Sequence, residues 1–146
     1  MKPTRVLFIL IAVLLAACSS VVSDGDVTKV VITDGTSEKA FSLSDLEKMS
    51  VTESTFNEVT YVGVMLSMLL EEAGFSPADL SAVKASASDG YSVNYDPALF
   101  TREDVIVAYA TVDGDLTEDD GTFRMVLPGE EGKLNLRFLV ELKVIP

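Results

Sequence analysis

One cysteine stands in the whole chain, and it closes an unbroken apolar run. Lys2 and Arg5 give a positive start, Val6 to Ala17 (VLFILIAVLLAA) is apolar throughout, and Leu15-Ala16-Ala17 leads directly into Cys18. A positive n-region, an apolar stretch and small residues at a cleavage site make an export signal. The run is 12 residues long, short of the roughly 17–25 that cross a bilayer core. The chain is therefore divided before any fold is considered. Residues 1–17 are a removable signal, residues 18–26 a short polar tether, and residues 27–146 the part that must fold. A lone cysteine excludes an intrachain disulfide and a thiolate metal cluster, so the fold must rest on its hydrophobic core.

The sequence LAAC followed by Ser19-Ser20 resembles the lipobox of bacterial lipoproteins. That resemblance implies a diacylglycerol on the thiol of Cys18, which becomes the new N-terminus, and two or three acyl chains satisfy the two-signal requirement for stable anchoring. The expected partner is thus a lipid bilayer, reached through Cys18. The expected place is the cell envelope, on the extracytoplasmic side of the outer or the cytoplasmic membrane. Ser19 rather than Asp favours outer-membrane delivery in a two-membrane cell. Cutting before Cys18 leaves 129 of the 146 residues, the size of one domain. It removes two positive charges and no negative one, so the net charge moves from −12 to −14. Such a surface repels nucleic acid and anionic head groups.

Val27 to Thr33 (VTKVVIT) reads as a β-branched strand stopped by Asp34-Gly35. Phe41 to Leu46 reads as a helix start, with Ser42 as N-cap and Asp45 as the capping-box acid. Val64 to Ala73 predicts a longer helix buried against a sheet, with Gly74 as a left-handed cap and Met65 and Met68 as core filler. Ser76-Pro77 restarts a short helix. Strands are expected at 83–88, 91–95, 105–112, 123–127 and 136–145. Between them lie Asp89-Gly90, Asp96-Pro97, Asp113-Gly114, Pro128-Gly129 and Glu131-Gly132 as turns. The pattern is α+β in a single domain, with short helices in the N-terminal half and a β-rich C-terminal half.

In this order several segments resemble the molybdopterin-binding domain of the sulfite oxidase type. They are Phe41-Ser42-Leu43-Ser44-Asp45-Leu46, Tyr61-Val62-Gly63-Val64 running into Leu69 to Gly74, and Ala87-Ser88-Asp89-Gly90-Tyr91. Val107-Ala108-Tyr109 with Asp113-Gly114 follows, then Gly121 to Gly129 (GTFRMVLPG) and a closing strand. The resemblance implies the fold. It also implies a metal-ligating cysteine ahead of Tyr61, where this chain has Val51 to Thr60 (VTESTFNEVT) and no cysteine. With no histidine and three arginines after the signal (Arg102, Arg124, Arg137), the residues argue against molybdenum redox chemistry.

Small stand-alone members of such families are thought to bind free pterins, and the resemblance allows a pterin here. The 2-amino and N3–H groups of a pterin present parallel donors to one carboxylate, and its flat ring suits an aromatic or arginine face. Asp89, Gly90 and Tyr91 supply an acid, a permissive backbone and a ring in succession; Tyr109 and Arg124 come from the matching segments. The same residues also suit plainer roles: Asp-Gly as a hairpin turn, Tyr91 packed on a sheet, Arg124 paired with a surface carboxylate. The expectation is a non-catalytic, membrane-anchored module for a small ligand or a protein partner, or else an accessory component of a molybdopterin-dependent oxidoreductase complex. In the acidic loop Asp113 to Gly121, residues Asp113, Asp115 and Thr117 have calcium-loop spacing, but Glu118 stands where that loop needs glycine, so a solvated hairpin is expected. A Ser-His-Asp triad is impossible without histidine.

Overall fold

The computed structural model describes residues 28–146; the signal, Cys18 and the tether to residue 26 lie outside the described residues. Strand β1 (Lys29–Thr33) turns back into β2 (Glu38–Ser42) through Asp34, whose carboxylate accepts the N–H groups of Thr36 and Ser37. Strand β2 was not expected: three of its five residues are exposed, and an edge strand carries little hydrophobic alternation. It leads into helix α1 (Leu43–Leu46), a single turn closed by the expected capping box. The Ser42 hydroxyl accepts the Asp45 N–H at 3.3 Å, and the Asp45 carboxylate accepts the Ser42 N–H at 2.8 Å. The Ser42 N–H and the Ser42 hydroxyl, which also donates to that carboxylate at 2.7 Å, hold the Asp45 carboxyl below its ordinary range.

Strands β3 (Thr52–Phe56) and β4 (Val59–Met65) form a hairpin over the segment that the sequence left without structure. Phe56 pairs with Val59, so the loop is only two residues. Asn57 and Glu58 both take positive φ (48° and 65°), the twist that a two-residue hairpin demands. Helix α2 (Leu66–Glu72) starts two residues later than its apolar pattern suggested, because Val64 and Met65 still pair with the neighbouring strand. Gly74, at φ +93°, ends it as expected. The Gly74 N–H donates to the Glu71 carbonyl and the Phe75 N–H to that of Leu70, the paired bonds of a Schellman motif. Leu66, Leu69 and Leu70 are fully buried, and Met68 packs half-buried against the core.

After a 3₁₀ turn at Pro77–Asp79 come β5 (Ala82–Ala87), β6 (Ser92–Tyr95) and helix α3 (Pro97–Phe100). Asp96-Pro97 opens this helix instead of a plain turn. The Asp96 carboxylate caps the Leu99 N–H, and proline sits where its missing donor costs nothing. Strands β7 (Ile106–Thr111), β8 (Gly114–Asp115), β9 (Arg124–Val126) and β10 (Leu139–Ile145) complete the chain, with a 3₁₀ turn at Gly132–Leu134. Among the described residues no helix is long and apolar enough to cross a membrane.

The strands make two five-stranded sheets, ordered β2-β1-β10-β5-β6 and β3-β4-β7-β8, with β9 also pairing on β7. Only β1 with β10 is parallel; this pair ties the start of the domain to its end. Alternation assigns the faces. Val83, Ala85 and Ala87 of β5, with Leu142 and Val144 of β10, turn one sheet inward; Val64, Val107 and Met125 come from the other, and α2 fills the rest. Ile106, Ala108, Val126 and Tyr61 form a second, smaller cluster. The architecture is α+β in one domain, as read from the sequence.

Strands β4 and β7 meet at a register shift beside Gly63, and the approach leaves no space for a side chain. A Cβ there would lie 2.1 Å from the Val107 carbonyl oxygen and 2.7 Å from the Ala108 Cα, both backbone atoms that cannot step aside. Gly63→Ala is expected to lose about 3 kcal/mol, the upper end of the usual cost of overpacking. Urea unfolding checks it: the midpoint should fall with the slope unchanged.

Candidate functional site

Arg124 is the largest fully buried side chain among the described residues, only 2% exposed. A guanidinium cannot be deprotonated in a protein, so burial obliges the fold to surround it with acceptors. Its Nη1 donates to the Asp120 carboxylate at 2.6 Å and to the Tyr61 hydroxyl at 2.9 Å; Nη2 donates to the Asn135 carbonyl at 3.3 Å. The cation also lies 4.6 Å from the Tyr61 ring centre and 5.9 Å from that of Phe56. Asp120 is itself buried. It accepts the Thr117 hydroxyl at 3.1 Å and has the exposed Arg137 at 3.6 Å. Arg124 therefore pairs not with a surface carboxylate but with a buried one, four residues before it. The tail of the acidic loop turns inward to supply it.

Beside Arg124 opens a cavity of about 400 Å³. Phe56 and Asn57, at the tip of the β3–β4 hairpin, form one wall, and Asp89 and Tyr91, in the turn from β5 to β6, form another. Lys133, Arg137 and Phe138 line the third side, with Arg124 within. The turn is built as its residues dictate. The Asp89 carboxylate accepts the Tyr91 N–H at 2.9 Å, and Gly90, at φ +91°, donates its N–H to the Ala87 carbonyl. The ring of Tyr91 is 47% exposed, and its hydroxyl donates to the Lys133 carbonyl at 3.0 Å. Tyr95 does the same to Leu134 at 2.6 Å from a buried position, where desolvation pushes its phenol well above the ordinary value. Two tyrosines thus pin the 3₁₀ turn that walls the cavity. The Asn135 side chain fixes that loop from beneath, accepting the Leu127 N–H at 2.7 Å and donating to the Leu127 and Glu131 carbonyls.

Three of the residues singled out from the sequence, Asp89, Tyr91 and Arg124, meet at this one cavity. Gly90 shapes the turn without lining it. Tyr109 lies elsewhere, half-buried on β7 beside Leu43 and Leu116 in a separate cleft of about 420 Å³. Burial and the charge of Glu47 raise its phenol pKa. The turn reading and the cavity reading of Asp89-Gly90-Tyr91 hold together: one carboxylate oxygen closes the turn at the cavity mouth. Tyr61, Asp120, Asn135, Lys133 and Phe138 were not foreseen. Only the spacing of Asp120 and Arg124 signalled any of them, and a carboxylate in a loop of five acids does not announce which one is buried. Val112 and Asp113 form the β7–β8 turn, and among the described residues no group of three acids converges as a metal site.

Because Arg124 and Asp120 are both buried, removing one strands the other. Asp120→Ala is expected to cost about 3–5 kcal/mol, the penalty for an unpaired charge in an interior. The double variant Asp120→Ala/Arg124→Met should recover a large part of it. Urea unfolding of the two variants measures the difference, and equal stability of the single and double variants would contradict the pairing.

The model of the family described as "oxidoreductase molybdopterin binding domain" matches residues 23–146. No curated protein matches the sequence significantly. Among solved structures the chain is similar to the sulfane dehydrogenase SoxCD from Paracoccus pantotrophus, with a TM-score of 0.68 and 20% identity. That match covers 80% of this chain and 38% of the other, so the likeness is one of fold, to a part of a longer protein. A mixed two-sheet domain matched by the family model over nearly all its folded length leaves one assignment: the chain belongs to the oxidoreductase molybdopterin-binding domain family.

Proposed function

We propose that this chain is a membrane-anchored, extracytoplasmic member of the family that binds a small flat ligand, a pterin first among them, without molybdenum redox chemistry. One observation carries the reading: the cavity beside Arg124 keeps a ligand-sized mouth while the donor set for the metal is gone. The region ahead of Tyr61 where the resemblance puts a cysteine ligand, Val51 to Thr60, is taken up by β3 turning into β4 through Asn57 and Glu58. Residues 28–146 contain no cysteine and no histidine, so this donor set does not fit a thiolate-held molybdenum. The mouth suits an organic ring better. The exposed ring of Tyr91 offers a stacking face, and Asp89 keeps one carboxylate oxygen free of the turn for a ligand N–H donor. Lys133 and Arg137 are more than half exposed at the rim and can meet an anionic substituent.

Cys18 and the apolar run before it support the anchor. Two acyl chains at the tether would hold the domain close to a bilayer, with the acidic surface facing away from anionic lipid. A second reading makes the domain an accessory component of a molybdopterin-dependent oxidoreductase complex. It draws on the structural match, in which an equivalent domain is a minor part of a longer sulfane dehydrogenase chain. Metal analysis separates the two: near-stoichiometric molybdenum in the purified protein sinks the first.

Thermal melting of the detergent-solubilised protein against a panel of pterins tests the ligand. At a hundred times its dissociation constant a ligand of the folded state adds about 2.7 kcal/mol, a shift of several degrees in a domain of this size. The shift should vanish in Asp89→Ala and Tyr91→Ala; no shift with any pterin refutes the ligand assignment. Radiolabelled palmitate should enter the wild type in cells and not Cys18→Ser, and labelling that survives the substitution would refute the anchor.

A further inference from the structure

The sheet ordered β2-β1-β10-β5-β6 buries one face only. Val30, Ile32, Val83, Ala85, Leu142 and Val144 point into the core, and the residues that alternate with them are exposed or half-buried. The outer strands β2 and β6 continue the open face with exposed or half-buried residues. On it Lys29 begins β1, and the register sets Lys84 of β5 directly opposite Lys143 of β10. Like charges placed directly opposite destabilise a sheet. Among the described residues none of the three lysines has a carboxylate within 4.0 Å.

This face departs from the charge of the rest. Its acids are Glu38 and Glu141, so bases outnumber acids, whereas residues 28–146 hold nine basic and 21 acidic side chains. The loop Asp113 to Gly121, with five acids, belongs to the other sheet. The chain enters the domain on the lysine side, at Thr28 and Lys29. Nine residues separate Cys18 from Thr28, and nine residues span at most about 32 Å. That reach is comparable to the width of a domain whose radius of gyration is about 13 Å. Contact with the bilayer is then intramolecular, and a weak attraction suffices to set it. The favoured orientation next to an anionic surface turns the lysines toward it and the acids to solvent.

We propose that the open face of this sheet, through Lys29, Lys84 and Lys143, is the surface on which the anchored domain rests against anionic lipid head groups, an inference that rests on the Cys18 anchor proposed above. The domain as a whole repels such lipid; this one face does not.

Lysine footprinting tests it. The protein is reconstituted into vesicles of phosphatidylcholine, alone or with a third phosphatidylglycerol, and acetylated with a lysine-reactive ester. Mass spectrometry reads the label on each lysine. With phosphatidylglycerol, Lys84 and Lys143 should be labelled about five-fold less, the weight of one net cation near an anionic surface. Lys39, which lies on the core side and donates to the Glu72 carbonyl, and Lys133 should label alike in both vesicles. Salt at 1 M, which screens charges beyond about 3 Å, should abolish the difference. In Lys84→Gln/Lys143→Gln the protection of Lys29 should be lost. Equal labelling in the two vesicles overturns the proposal, as does an equal loss at Lys39 and Lys133. Protection in native membranes that anionic vesicles do not reproduce also overturns it and assigns the face to a protein partner. A mass that shows Cys18 without acyl chains refutes the anchor by itself. The Cys18 thiol is then coupled to a maleimide lipid, and the same footprint decides the face.

Discussion

The buried pair of Asp120 and Arg124 is the contact on which the two sheets and the cavity between their ends depend. Its cation is held by groups from four places in the chain: the acidic loop through Asp120, strand β4 through Tyr61, the C-terminal loop through the Asn135 carbonyl, and the β3–β4 hairpin through the Phe56 ring. Desolvating two charges costs several kcal/mol each, and attraction repays this only when the remaining donors and acceptors are satisfied. Here they are: no buried side-chain polar atom among the described residues lacks a partner. The pair therefore acts less as a source of stability than as a condition on geometry. Any arrangement that moves one of the four segments leaves a charge uncompensated.

That condition propagates outward. Asp120 can reach Arg124 only if its loop turns inward, and Gly121, at φ +81°, follows immediately to turn it back. The bare Gly121 then meets the Phe138 ring, and Phe138 in turn donates its N–H to the Asp120 carbonyl. Beneath the cavity Asn135 does double service, its carbonyl on Arg124 and its amide on Leu127 and Glu131. The loop from Leu127 to Asn135 is long and irregular, yet it has backbone partners at Leu127, Glu131 and, through the tyrosine hydroxyls, at Lys133 and Leu134. Loops so fastened make walls.

What the sequence disclosed follows from where information is local. The capping box at Ser42 and Asp45 and the glycine stop at Gly74 are bonds within one turn, and both are present as read. The strand at 82–87 alternates against the core, and those at 106–111 and 139–145 are apolar runs rich in β-branched residues, so all three could be recognised from the sequence. Strands β2 and β3 could not. Glu38–Ser42 and Thr52–Phe56 are half-exposed edges with few apolar residues to set a period, and although each pairs with the strand beside it in sequence, Asn57-Glu58 lacks the glycine that usually marks a two-residue turn. At the site, Asp89, Tyr91 and Arg124 were legible because they sit in recognisable family segments. Asp120, Asn135 and Phe138 were not, since their roles arise only when loops 113–121 and 127–138 are brought to the same place. Tyr109 came from a matching segment too, and the fold carried it to another cleft.

This division separates the deep wall of the cavity from its mouth. The deep wall, made by Arg124 and Asn135 with Asp120 and Tyr61 holding Arg124 from behind, is fixed by the cost of an unpaired buried charge, so selection for folding alone preserves it whether or not anything binds. The mouth is under no such obligation. The Tyr91 ring is nearly half exposed, and the charged ends of Lys133 and Arg137 lie more than half in solvent, paired only with the surface carboxylate of Glu131 and the edge of Asp120. Exposed pairs of that kind are worth about 0–1 kcal/mol, and an exposed aromatic ring offers apolar area that water disfavours. Two cations and a half-exposed ring thus gather at one rim, the ring held there by its hydroxyl on the Lys133 carbonyl and the cations by pairs that contribute little to stability.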